Sequence, residues 1–181
     1  MGRIKTAAEL ALEKTEGMQF DEEKIRTDSL IRNGMTLAGR YLSTSDMTVK
    51  DLEKALSDVA QDDKMLFRKG VAEVVISNIV LPQDELYAMR FDRLADLAAV
   101  LNSKGGETLR QLRAFLDNYL LEKENFIKSI QSQLQDAMKQ NPENMNPERL
   151  SSIIQQNLKR LDAQYQETLD RTKENLKKDL V

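Results

Sequence analysis

Carboxylates are the only reactive side chains this sequence offers in quantity, and their pairing is the first thing to test for chemistry. There are 30 acidic residues, with no histidine and no cysteine. Asp92 with Asp96, and Glu122 with Glu124, are the pairs that can be imagined as an acid and a base. Such a pair acts at neutral pH only when an apolar pocket or a charged neighbour drives one pKa away from its usual range. Nothing in the flanking sequence sets either pair in such a pocket. A di-iron bundle needs Glu-x-x-His pairs facing inward, and no histidine exists to supply them. Asp58, Asp62 and Asp63 lack the alternating oxygen ligands, central glycine and terminal glutamate of a calcium loop. Gly34-Met35-Thr36-Leu37-Ala38-Gly39 has no preceding strand and no Gly-Lys-Ser/Thr ending, so it is not a phosphate loop. The serines have no base partner beyond lysine. No catalytic, cofactor-binding or metal-ligating residue is assigned, and no cofactor is implied.

The elements that would carry any function are long helices. From Glu107 to Gln140 the chain has neither glycine nor proline. Leu109, Leu112, Leu116, Tyr119, Phe126 and Ile130 fall three and four apart, with Lys123 as a polar intruder, which is the seam of a coiled coil or bundle helix. Asn141 to Pro147 reads as a turn. Asn146 suits an N-cap, Pro147 the first helical position, and Met145 with Leu150 a hydrophobic staple. A second run then carries Leu150, Ile154, Leu158, Leu161, Tyr165, Leu169, Leu176 and Leu180, weakened at Thr172. Each arm holds about 34 residues, or roughly 50 Å of helix. The expected fold is all-α: a helical bundle with a long, coiled-coil-like, antiparallel C-terminal hairpin over 105–181 and its turn at 141–147.

Residues 1–104 read as an N-terminal subdomain of about five helices. A short helix over 3–16 ends at Gly17, and Asp21 caps the next, which runs to Leu42. Gly34 and Gly39 inside it predict close approach by a neighbouring helix. Thr48 and Asp51 form a capping box ahead of Leu52, Leu56 and Val59. Gln61-Asp62-Asp63 is a turn. Eight of the eleven residues in 71–81 are apolar and many are β-branched. With no partner strand to satisfy its backbone, that stretch is expected to be a buried helix. Pro82 opens the following helix, and Asn102 to Gly106 stops it.

Of 181 residues, 40% are hydrophobic and 31% charged, for a net charge of −3. No segment accumulates the basic field that nucleic acid requires, so no nucleic-acid partner is expected. No apolar run is long enough to span a bilayer. A cytoplasmic location is the expectation.

Three functional readings follow. The first is a non-enzymatic scaffold or adaptor that works through protein–protein interaction. Two arms packed only on each other expose more apolar circumference than one seam can hide. The interaction residues are Phe115, Tyr119, Leu120, Leu121, Phe126, Ile127, Ile130, Leu134, Ile153, Leu158, Leu161, Tyr165 and Leu169. The partner is a second copy, two hairpins making a four-helix bundle, or another helical protein. The alternative is a small-ligand-binding or enzymatic domain, its pocket between helices near 71–101 and offering Tyr87, Arg90 and Arg93. A third, a peripheral membrane contact through residues 3–16, is weakened by the small area its alanines bury.

The opening Met1-Gly2-Arg3-Ile4-Lys5-Thr6-Ala7, continued to Thr15, resembles the start of small all-helical bacterial proteins of unknown function. The resemblance implies a bacterial cytosolic protein and brings no activity or site residue with it.

Overall fold

The computed structural model describes the backbone of residues 6–84, 86–140 and 147–180, and their side chains except at 7–21, 134, 137–140 and 147–150. The chain is all-α. Six helices follow in order: α1 (Ala7–Ser43), α2 (Val49–Asp58), α3 (Lys64–Ser77), α4 (Tyr87–Leu101), α5 (Ser103–Gln140) and α6 (Pro147–Leu180), with no strand among the described residues. Their contacts gather into two units, 1–74 and 75–181.

The first unit turns on a glycine crossing. A Cβ on Gly34 of α1 would overlap the Phe67 carbonyl oxygen of α3, and one on Gly70 of α3 would overlap the Ile31 carbonyl of α1. Neither glycine has a positive φ, so both are there for space rather than conformational freedom. The expectation of close approach holds at Gly34 and fails at Gly39, where an added Cβ meets nothing within 4 Å. Two turns before the crossing on each helix, Arg26 pairs with Asp63 at 2.8 Å. The two helices therefore run in the same general sense, and α2 with its loops is the return connection. Ala38, Tyr41, Leu52, Leu56, Val71 and Ala72 are buried in this unit.

The capping box ahead of α2 is present. The Thr48 hydroxyl accepts from the Asp51 N–H, and the Thr48 N–H donates to the Asp51 carboxylate at 2.8 Å. Hydrogen bonds from the Thr48 hydroxyl and then its N–H hold the Asp51 carboxyl below the usual carboxylate range. The Gln61–Asp63 turn is also as expected.

Three boundaries need correction. Gly17 does not end a helix; the two helices read over 3–16 and from Asp21 are one continuous α1. A single glycine costs a helix only about 1 kcal/mol, too little to stop one 37 residues long. The buried helix read over 71–81 is α3, which starts at Lys64 and stops at Ser77. Ile79 is buried outside it and Val80 is exposed. Pro82 does not open α4. It lies buried in an irregular stretch in which Asp84 Oδ1 accepts from the Leu86 N–H at 2.9 Å, and α4 starts at Tyr87 with no side-chain cap.

The second unit is built on α5. Helix α4 packs antiparallel against the first half of α5, burying Phe91, Leu94, Ala95, Leu97, Ala98 and Leu101. Only Asn102 separates the two helices. Its N–H bonds back to the Ala98 carbonyl at 2.8 Å, closing α4, while its Oδ1 accepts from the Lys104 N–H at 3.0 Å, opening α5. Gly105 and Gly106 are thus not breakers but part of the first turns of α5. A Cβ on Gly106 would strike Ala99, and one on Gly105 would strike Leu180. The Asn102 side chain also donates to the Asp179 carbonyl at 2.8 Å, and Lys104 pairs with Asp179 at 2.9 Å. The end of α6 is so fastened to the α4–α5 junction.

Helix α6 runs antiparallel to α5. Gly105 faces Leu180 at the root, and Tyr119 faces Asp162 and Tyr165 midway. The turn chemistry read at Asn141–Asn146, and the Met145–Leu150 staple, lie outside the described residues.

Candidate functional site

The expected interaction residues divide sharply along the hairpin. Near its root three helices meet, and Leu109, Leu112, Leu116 and Tyr119 of α5 are buried with Leu169, Leu176 and Leu180 of α6. Helix α4 ends its cover at Tyr87, whose hydroxyl donates to Asp117. Beyond that level the arms have only each other. Among the described residues, none from 120 to 136 and none from 151 to 168 is buried. Phe126, Ile130, Ile154, Leu158 and Leu161 keep the seam going half-buried, while Leu121, Ile127 and Ile153 are 55%, 36% and 46% exposed. Tyr119 and Leu169 belong to the chain's own core rather than to a free surface. Phe115, Leu120 and Tyr165 are half-buried. The Leu134 side chain lies outside the described residues.

The boundary between covered and uncovered seam is marked by an aromatic and charged cluster. The Phe115 and Tyr165 rings lie 4.7 Å apart, and Tyr119 and Tyr165 lie 5.1 Å apart. The Tyr119 hydroxyl donates to Asp162 at 2.6 Å and accepts from Lys123 at 3.3 Å. The polar intruder in the seam therefore has a partner, its ammonium also lying 5.4 Å from the centre of the Tyr119 ring. Burial, then donation to Asp162, drives the Tyr119 phenol well above its ordinary range. Burial and donation to Asp117 do the same at Tyr87, and burial with donation to Glu122 raises the Tyr165 phenol.

A phenol whose pKa is higher in the folded chain stabilises the fold fully below its unfolded value of about 10, and that contribution is lost as pH rises through and beyond it. Thermal denaturation from about pH 8 to pH 11 should show the melting temperature falling above about pH 10. Tyr119→Phe should flatten the fall. An unchanged slope would mean that Tyr119 is not held neutral by its surroundings.

Three of the four acids singled out for chemistry are placed in ion pairs, and the fourth, Glu122, accepts from the Tyr165 hydroxyl. Asp92 accepts from Arg113 and Asp96 from Arg110, tying α4 to α5. Glu124 pairs with Lys128 one turn on, at 2.5 Å, the helix-supporting spacing its sequence position suggests. Asp63 is engaged by Arg26. No group of three candidate metal ligands occurs among the described residues. Of the polar residues suggested for a ligand pocket, Tyr87 is committed to Asp117, Arg90 is exposed, and Arg93 is half-buried.

Two open grooves flank the middle of the hairpin. One, of about 390 Å³, lies between the arms and is lined by Glu122, Asn125 and Phe126 of α5 and by Asn157, Arg160 and Leu161 of α6. The other, of about 510 Å³, is formed by α6 residues Lys159, Asp162 and Gln166 with Val80, Leu81 and Gln83 from the stretch before α4. The first went unnoticed in the sequence, because its lining is mostly polar and interrupts the apolar periodicity. The signal that could have found it is the recurrence of Ile153, Asn157, Arg160 and Gln164 on one helical face.

Fold and surface together define an all-α protein whose long hairpin is roofed at its root and uncovered along its outer half. Residues 53–178 match a family of unknown function (DUF6657), and the chain belongs to that family. No curated protein and no solved structure matches the chain. The match leaves out Met1–Thr15, on which the resemblance to bacterial proteins rested, but agrees with it that the relatives have no assigned function. No described helix is long and apolar enough to cross a membrane.

Proposed function

We propose that the protein is a non-enzymatic helical scaffold or adaptor acting in the cytoplasm, and that it self-associates through the outer half of its α5–α6 hairpin to form a homodimer. One observation carries this reading: the buried core stops at Tyr119 and Leu169, yet the apolar seam runs on through Phe126, Ile130, Leu158 and Leu161. A two-helix contact leaves such a seam half in water. A second hairpin laid on it makes a four-helix bundle and removes that apolar area from solvent. The charged residues on the outer faces keep the arms helical and soluble without filling this role.

Sedimentation equilibrium on the full chain tests the proposal. A dimer at tens of micromolar is the expected result; a compact monomer at that concentration rejects it.

A further inference from the structure

Resting on that self-association, we propose that the second copy docks on the groove face of the hairpin about a two-fold axis parallel to the arms, pairing Glu122 of each copy with Arg160 of the other. Glu122 lies three residues beyond Tyr119 on α5, and Arg160 two residues beyond Asp162 on α6 towards the tip. Since Tyr119 and Asp162 are bonded to each other, Glu122 and Arg160 stand at the same level along the hairpin to about one helical turn. They line opposite arms of one groove. A two-fold axis parallel to the arms keeps every residue at its own level and exchanges left for right. It therefore lays the α5 of one copy over the α6 of the other, sets Glu122 against the opposite Arg160 twice, and sets Asn125 near the opposite Asn157. All neighbouring helices in the resulting bundle are antiparallel, and the interface is isologous. Phe126 and Leu161, which line the groove, lie in the interface, with Ile153 further towards the tip.

The opposite face of the hairpin is a poorer candidate. Arg113 faces α4 through Asp92, and seven-residue steps along α5 stay on nearly the same face. Leu120 and Ile127 therefore continue the side that α4 occupies nearer the root. On the same side of α6, residues 80–83 already lie against Lys159 and Asp162. The groove at Glu122 and Arg160 has all its lining from the two arms.

Charge exchange tests the arrangement in the full-length chain. Glu122→Arg sets arginine against arginine and Arg160→Glu sets glutamate against glutamate, so each variant alone should weaken the dimer about tenfold or more. Mixing the two variants restores both pairs between unlike chains, while any contact within one chain stays repulsive. The mixture should therefore form a heterodimer at the wild-type affinity, measured by sedimentation with one variant labelled. Ile127→Glu, on the other face, should leave the dimer intact. A dimer that survives both charge variants but dissociates with Ile127→Glu overturns this arrangement and leaves self-association standing. A mixture no tighter than either variant alone also overturns it. A wild-type chain that stays monomeric overturns the self-association on which it rests.

Discussion

Gly34→Val is expected to destabilise the protein by about 3 kcal/mol, the upper end of what overpacking usually costs. Its new Cβ would meet the Phe67 carbonyl, with the Val71 N–H just behind. Both are backbone atoms, which cannot swing aside as a flexible side chain can. The two helices must move apart, and with them the packing that buries Ala38 and Val71. Gly39→Ala is the matched control five residues on. An added methyl there meets open space, so removing the glycine's excess unfolded-state freedom should stabilise by about 0.5–1 kcal/mol. Urea denaturation of the two variants should move the midpoints in opposite directions. Equal midpoints would mean that the crossing at Gly34 and Gly70 is looser than described.

Leu116→Ala should cost about 3–4 kcal/mol, within the usual range for emptying a closed core site. Leu116 is fully buried where α4, α5 and α6 meet, one turn from Leu112 and Tyr119. Neighbours held on three sides cannot collapse into the space left behind. Ile127→Ala, eleven residues further along the same helix and already open to water, should cost about 1 kcal/mol or less. The contrast between the two substitutions measures where the roofed part of the hairpin ends. Comparable losses would show that the outer half has cover equal to the root.

The long hairpin is legible in the sequence because its signal is repeated many times over. Four of the six seam residues read on α5 are buried, and Phe126 and Ile130 sit half-buried where the third helix is missing. The Thr48–Asp51 box is legible for another reason, being a purely local device with only one geometry. Glycine is where reading fails, in both directions. Gly17 sits in a helix without ending it and Gly39 meets no neighbour, whereas Gly105 and Gly106 look like a stop and are contact points for Leu180 and Ala99. What distinguishes them is the partner across the interface, which local sequence does not encode. Pro82 misleads similarly. It suits a first helical position, but it lies buried in an irregular stretch and α4 starts only at Tyr87. The candidate surface was legible as an excess of apolar circumference, not as a place. Tyr119 and Leu169 stand in the sequence both as seam positions and as interaction residues; they are core because α4 covers the hairpin as far as Tyr87, which local sequence does not reveal.

The fastening of Asn102 and Lys104 to Asp179, together with the Tyr119–Asp162 bond, fixes the two arms against each other at two separate heights. Changes in chain length beyond Tyr119 therefore have to be made twice. Losing a heptad from α5 alone would leave α6 overhanging by about 10 Å, its leucines facing water and the connecting bend dragged down its flank. Losing seven residues from each arm shortens the rod and leaves every other contact alone. Within the family, lengths in this region should vary in matched pairs of heptads, like the two rails of a ladder cut at the same rung.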